Sequence, residues 1–161
     1  MDNHLIKAAV VTVSDTRKPE NDISGQRLSE LLKRANAVVV TAVIVTDDLD
    51  GLRKTLCDLS DRGDVNLIVT TGGTGFGPRD NAPEATRAVI QREAPGIAEA
   101  MRRETATATP LAMLSRGVAG IRGKTLIINF PGSPKAVEEC FAVVTPVLNH
   151  AVSLICGDTK H

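Results

Sequence analysis

Apolar positions along the chain follow two alternating patterns. β-Branched runs at 8–13, 38–46, 66–71 and 125–130 are short and nearly continuous, which predicts strands buried on both faces. Between them, apolar residues recur every three or four positions. Leu28, Leu31, Leu32 and Ala35 mark a first helix, with Ser24 as its expected N-cap. Asp47-Asp48 closes the second strand, and Leu49, Leu52, Leu56 and Leu59 mark a second helix. Pro83 suits the first turn of a third, where Glu84 adds a carboxylate. Helical spacing then covers 83–93 and 96–105, broken at Pro95-Gly96. Ser133-Pro134 opens the last helical stretch, with Val137, Phe141, Val144, Leu148 and Ile155 on one face. Within it, Thr145-Pro146 predicts a restart, with Thr as cap and Pro at the first helical position.

Strands alternating with helices predict an α/β domain with a mostly parallel sheet covered on both faces. Such sheets bind ligands beyond the carboxyl ends of their strands. Ser14-Asp15, Asp47-Asp48, the loop from Gly72, and Pro131-Gly132-Ser133 all follow expected strands. Parallel strands would place all four on one rim. The 161 residues suit one domain, 1–161, without internal repeat or linker.

Composition narrows the partners. The 19 basic and 19 acidic residues cancel, and aromatics are 2% with no Trp or Tyr, so neither a basic footprint nor a base-stacking platform for nucleic acid is expected. The apolar stretch at 37–45 is too short to span a bilayer, so no membrane partner is expected, and MDNHLIK lacks the regions of a leader. Cys57, Cys140 and Cys156 are scattered and read as reduced thiols of a cytoplasmic protein. His4, His150 and His161 lie too far apart in sequence to suggest zinc.

The densest chemistry is TTGGTGFGPRDNAPEAT, residues 70–86. It lacks the Lys of a P-loop, and its glycines follow the third expected strand with the wrong spacing for a dinucleotide fold. The glycines serve either turn geometry alone or an anion nest, in which bare backbone amides of Gly72, Gly73, Thr74 and Gly75 receive a phosphate. Thr71 and Thr74 add hydroxyls, and the helix after Pro83 aims its positive end at the same region. Asp47 and Asp80 follow two different strands. Either Asp47 caps a helix and Asp80 pairs with Arg79, or the two carboxylates hold Mg²⁺ on a phosphate.

Six segments together carry a family resemblance: VTVSDTR at 11–17, DISG at 22–25, TTGGTG at 70–75, RDNAPEA at 79–85, LSRGVAG at 114–120 and NFPGSPKAVEEC at 129–140. Their order and spacing resemble the MoaB/Mog family of molybdenum cofactor biosynthesis proteins, whose domain type also occurs in gephyrin. The resemblance spans about residues 8–145. It implies a three-layer α/β/α sandwich, a trimer or hexamer, and binding of molybdopterin. Active members adenylylate molybdopterin with Mg²⁺ and ATP, releasing pyrophosphate; the alternative is a non-catalytic carrier or scaffold. Other molybdenum cofactor biosynthesis proteins are implied as further partners. Asp47 and Asp80 stand at the family's acidic positions and are the implied catalytic and metal-binding pair. The wording of NAPEA and LSRGVAG looks more like the MoaB branch.

The implied binding residues begin with Ser14, Asp15 and the loop Thr71–Gly75. Ser115 adds a donor, and Glu84 either touches the pterin or fixes the loop. Arg116 and Lys135 are anion partners or surface ion pairs. Pro131, Gly132 and Ser133 offer donors or simply form a turn and N-cap.

Overall fold

A computed structural model describes residues 4–158. The first three residues of MDNHLIK and His161, which the leader and metal expectations included, lie outside them. Six strands form one sheet: β1 (Lys7–Val13), β2 (Val38–Val45), β3 (Leu67–Thr71), β4 (Arg92–Glu93), β5 (Ala119–Arg122) and β6 (Thr125–Phe130). Their spatial order is β2-β1-β3-β6-β5-β4. The first four in that order run parallel, and β5 and β4 add an antiparallel edge.

The five α-helices are α1 (Ile23–Arg34), α2 (Leu49–Asp61), α3 (Ala82–Val89), α4 (Pro95–Thr105) and α5 (Pro134–Cys156). Alternation along β1 sorts them into two layers. Ala8 and Val10 pack with Leu28 and Leu32 of α1, Met101 of α4 and the buried face of α5. Ala9, Val11 and Val13 pack instead with Leu52 and Leu56 of α2 and with Ala85 and Val89 of α3. β1, β3 and β6 are therefore apolar on both faces, as near-continuous burial requires. The fold is the mostly parallel α/β sandwich that the strand–helix alternation predicts.

Local departures have local causes. The cap of α1 is Asp22, not Ser24: its carboxylate accepts from the Gly25 amide at 3.0 Å and from the Thr12 hydroxyl at 2.7 Å. That frees the Ser24 hydroxyl to donate to the Gly132 carbonyl at 2.6 Å. The third helix ends at Val89 rather than 93, because Ile90 leaves in an extended conformation and Arg92–Glu93 pairs with β5. No restart occurs at Thr145-Pro146. α5 is continuous, with Pro146 inside it and the Thr145 hydroxyl bonded back to the Phe141 carbonyl at 2.6 Å. Burial of Val144, Leu148 and Val152 on the same face outweighs the one backbone bond that Pro forfeits. By length and composition α5 could cross a bilayer; here that apolar content supplies the face packed on the sheet.

Asn129 joins the layers near the carboxyl end of β6. It is 1% exposed. Its Nδ2 donates to the Thr70 hydroxyl at 3.0 Å and the Thr86 hydroxyl at 2.9 Å, while its Oδ1 accepts from the Val118 amide at 3.1 Å. One side chain thus ties β3, α3 and the segment entering β5. Asn129→Ala should cost about 2–4 kcal/mol, because it leaves buried polar groups without partners. Urea unfolding checks this, and a loss below about 0.5 kcal/mol, the size of an ordinary surface change, would contradict it.

Candidate active site

The parallel register aligns the carboxyl ends of β1, β2, β3 and β6, and two adjoining cavities open there. The first, about 210 Å³, is polar: Ser14, Asp47, Thr71, Gly72, Gly73 and Asp80 line it, together with Gly132. The second, about 320 Å³, is mainly apolar and is lined by Thr74, Gly75, Ser115, Pro131 and Ser133 at one end. Its other end reaches Ala98 and Met101 of α4 and Ala136 and Cys140 of α5. The glycine loop therefore contributes to both. The structure divides the expected binding residues between the two.

Backbone geometry explains the loop's composition. Gly72 and Gly73 follow β3 with φ of 97° and 66°. A Cβ on Gly72 would lie 2.5 Å from the Val13 carbonyl oxygen, so only glycine lets β3 turn so close to β1. A Cβ on Gly73 would lie 3.1 Å from Asp47 Oδ1. Among the described residues, the amides of Gly73, Thr74 and Gly75 donate to no protein acceptor, as a nest for an anion requires.

Two arginines brace the surrounding loops. The Arg116 backbone amide donates to the Thr74 carbonyl at 2.8 Å, and its guanidinium donates to the carbonyls of Gly75 at 2.7 Å and Asp80 at 2.8 Å. It also forms an ion pair with Glu84, whose carboxyl is held below its ordinary range chiefly by that bond. Glu84 and Arg116 thus fix the loop and line neither cavity. Arg79 does not pair with Asp80. Its Nε and Nη2 reach Asp15 at 2.6 and 2.9 Å, and this bond chiefly lowers the Asp15 pKa. Asp15 also accepts from the Asp47 amide at 3.1 Å, so it links the loops after β1, β2 and β3.

Asp47 is not a helix cap; Asp48 caps α2, accepting from the Gly51 amide at 2.7 Å. Asp47 is held instead by the Asn81 side chain, which donates to its carbonyl at 2.8 Å. Its Oδ1 is buried without a hydrogen-bond partner. Burial raises its pKa, and the charges of Asp15 and Asp80 raise it further. Asp80 accepts from the Gly77 amide at 2.8 Å. No cluster of three metal-ligating side chains occurs among the described residues. Two carboxylates, one of them an orphan between like charges, nevertheless fit Mg²⁺, which takes few protein oxygens and completes its shell with phosphate and water.

Lys135 stays outside both cavities, its side chain 83% exposed and 3.9 Å from Glu139. Ser133 caps α5 by accepting from the Ala136 amide at 3.1 Å while also lining the apolar cavity. Residues missed in the sequence include Arg17, whose guanidinium reaches the Ser24 hydroxyl at 3.4 Å beside the polar cavity, and Arg102, Glu139 and Cys140 in the apolar one. The spacing Ala98, Met101, Arg102, Thr105 was a helical signal for that wall. Burial pushes the Cys140 thiol up to about 11, helped by the Glu139 charge, so it serves as an apolar wall rather than a nucleophile.

A sandwich with free loop amides and two carboxylates beside a cavity at its strand ends has the layout of a ligand-binding α/β protein, and comparison with known proteins gives its family. Residues 9–150 match the family model described as a probable molybdopterin binding domain, and the chain belongs to that family. It is 45% identical over 159 residues to the molybdenum cofactor synthesis protein cinnamon of Drosophila melanogaster, covering 96% of this chain but only 26% of the fly protein. It is 41% identical over 157 residues to the molybdopterin adenylyltransferase of Helicobacter pylori, covering 95% of this chain and 89% of that one. Among solved structures, the molybdopterin biosynthesis enzyme MoaB of Thermus thermophilus superposes with a TM-score of 0.88 at 44% identity, covering 95% of this chain and 98% of that one. The Mog protein of Mycobacterium ulcerans gives 0.87 at 36%, covering 96% and 99%.

The raised Asp47 pKa makes a prediction with a definite sign. A carboxylate whose folded pKa is raised favours the folded state when protonated, and that advantage is lost as pH rises through the folded value. Without divalent metal, Asp47→Asn should therefore melt higher than the parent at about pH 7.5, and the gain should vanish near pH ~4, close to the ordinary Asp value. Thermal melts of both proteins in chelator across that range test it; a lower Tm for the variant at neutral pH would contradict it.

Proposed function

We propose that this chain adenylylates molybdopterin using Mg²⁺ and ATP. The observation that carries the reading is the buried, unpartnered Oδ1 of Asp47, set against Gly73 in a cleft that Asp80 also lines. The triphosphate of ATP lies in the polar cavity, with its charge received by the amides from Gly73 to Gly75. Asp47 and Asp80 hold Mg²⁺ there, which would neutralise charge on the reacting phosphates. The pterin enters the apolar cavity. Its phosphate-bearing arm points to Thr74, Gly75 and Ser115, the wall nearest the nucleotide.

A terminal phosphate oxygen of molybdopterin attacks the α-phosphorus of ATP and forms a new P–O bond. The bond from the α-phosphorus to the bridging oxygen breaks, and its electron pair leaves with pyrophosphate. No protein nucleophile or base is needed, because the attacking oxygen is already anionic. Catalysis is positioning and charge compensation. Arg116 and Glu84 contribute by keeping the loop rigid. A carrier without chemistry has no use for a half-buried carboxylate with an unpartnered oxygen between two like charges, so the catalytic reading is preferred.

The assembly and setting follow the same reading. The whole chain, 1–161, acts as one molybdopterin-binding domain in a trimer or hexamer. The edge strand β2 and the outer face of α5 leave apolar surface exposed, with Val38 at 47% and Val147 at 48%. The three free cysteines suit the reducing cytoplasm.

Three outcomes are expected. Asp47→Asn and Asp80→Asn should each lower adenylylation by roughly 10²–10³, by analogy with removing one preorganised electrostatic contact, while molybdopterin binding changes little. Unchanged turnover in both would defeat the metal site. Mg²⁺ should raise the Tm of the parent and leave that of Asp47→Asn unmoved. Light scattering at micromolar concentration should show a trimer or hexamer, and a stable monomer would refute the assembly.

A further inference from the structure

Most arginines around the strand ends are committed to protein partners. Arg79 is held by both oxygens of Asp15, Arg116 pairs with Glu84 and reaches two carbonyls, and Arg102 donates to the Gly117 carbonyl at 2.7 Å. Arg17 differs. The Ser14 hydroxyl accepts from the Thr16 and Arg17 amides at 3.2 and 3.1 Å, which fixes the Arg17 backbone just after β1. Its guanidinium then lies against Ser24 and Gly132, and all three residues line the polar cavity. Nη1 donates to the Ser24 hydroxyl at 3.4 Å and Nη2 to the Gly132 carbonyl at 3.5 Å, both longer than an ordinary hydrogen bond. Its ion-pair partner, Asp22, is 3.9 Å away. None of these groups depends on it. Asp22 already accepts from the Gly25 amide and the Thr12 hydroxyl, and the Gly132 carbonyl already accepts from the Ser24 hydroxyl at 2.6 Å. Arg17 therefore brings a permanent positive charge, with its donor capacity almost unused, to the wall of a cavity that two carboxylates also line.

We infer that Arg17 binds the β- and γ-phosphates of the nucleotide and receives them as the leaving pyrophosphate. This rests on the proposed adenylylation and gives that reaction a direction along the glycine loop. Gly132, which Arg17 touches, abuts the start of the loop: a Cβ on Gly132 would lie 3.4 Å from the Gly72 Cα. Asp47 stands at the next residue, Gly73. Thr74 and Gly75, where the phosphate arm of molybdopterin arrives, form the far end and line the apolar cavity. The α-phosphorus must face that arm, so the β- and γ-phosphates lie toward Gly72 and Arg17. A guanidinium presents paired N–H groups that match two phosphate oxygens. When the bond from the α-phosphorus to the bridging oxygen breaks, its electron pair moves onto the β-phosphate, and Arg17 stands where that charge grows. No proton is exchanged, because the guanidinium stays charged. Ser14 and Arg17 also line an open groove of about 760 Å³ between α1 and β2, so pyrophosphate leaves the cavity past Arg17.

Calorimetric titration of the full chain in chelator reads this contact apart from the metal site. The probes are inorganic pyrophosphate, ATP, and AMP, which lacks both departing phosphates. Arg17→Gln should weaken pyrophosphate and ATP by ~10–100-fold, the range for hydrogen bonds to a charged group, and leave AMP unchanged. Arg17→Lys keeps the charge without the fork and should fall between parent and Arg17→Gln. The Tm of both variants should stay parental, since the Arg17 side chain makes no hydrogen bond shorter than 3.4 Å. In turnover with Mg²⁺, Arg17→Gln should lower kcat, and product inhibition by pyrophosphate should weaken in step with its binding. Equal pyrophosphate and ATP affinity in parent and variants would overturn the role of Arg17 and leave the adenylylation reading standing. An AMP loss as large as the ATP loss would overturn the assignment to the β- and γ-phosphates. A fall in Tm with loss of all three ligands would mark Arg17 as structural and overturn it. No pyrophosphate binding by the parent would overturn it as well. A parent that binds pyrophosphate through Arg17 yet never adenylylates molybdopterin would remove the proposed function and uphold the diphosphate contact.

Discussion

Everything at the strand ends depends on how closely β3 turns past β1. The Val13 carbonyl oxygen leaves no room for a side chain on Gly72. Two successive left-handed glycines carry the chain over that point and lay its bare backbone between two cavities. A bulkier turn would push the loop outward, separate Gly73 from Asp47, and merge or close the two spaces. Sheet register, loop composition and cavity geometry are therefore one constraint seen at three scales.

Electrostatics around that turn follow a division of labour. Glu84 and Asp15 each have an arginine, and their pKa values fall accordingly. They are spent on holding loops. Asp47 has no such partner, and burial and its like-charged neighbours push its pKa the other way. The contrast separates carboxylates tied to arginines from the one whose Oδ1 is left without a partner. Burial disfavours the charged Asp47 carboxylate, whereas the Asn129 side chain is buried with its bonds to Thr70 and Thr86 made.

The layered fold was legible because its strands are apolar on both faces and its helices keep a clean three-four spacing. The short strands β4 and β5 were not. Arg92–Glu93 is two exposed polar residues, and Ala119–Arg122 carries no β-branched run, so only the pairing of β5 with β6, and of β4 with β5, defines them. The helix expected to restart at Pro146 ran on because tertiary burial exceeded a local preference. Asp47, Asp80, Gly72 and Gly73 were legible through their place after strands. The arginine partners were not, since Arg79–Asp15 and Arg116–Glu84 join positions 64 and 32 residues apart. Glu139 and Arg102 were hidden within helices whose apolar stripe looked like ordinary core.

The strand order also has a consequence for how the chain is made. Among the described residues β6 is the last strand along the chain, yet it lies between β3 and β5 inside the sheet. Until residue 130 leaves the ribosome, β3 presents an apolar, unpaired edge, and β5 has no partner joining it to the parallel strands. The α5 layer comes later still, so until it is made the face it packs on is covered only by α1 and α4. Folding is then a late, concerted closure dominated by long-range contacts, with a nascent state that invites association with other chains before the native core forms.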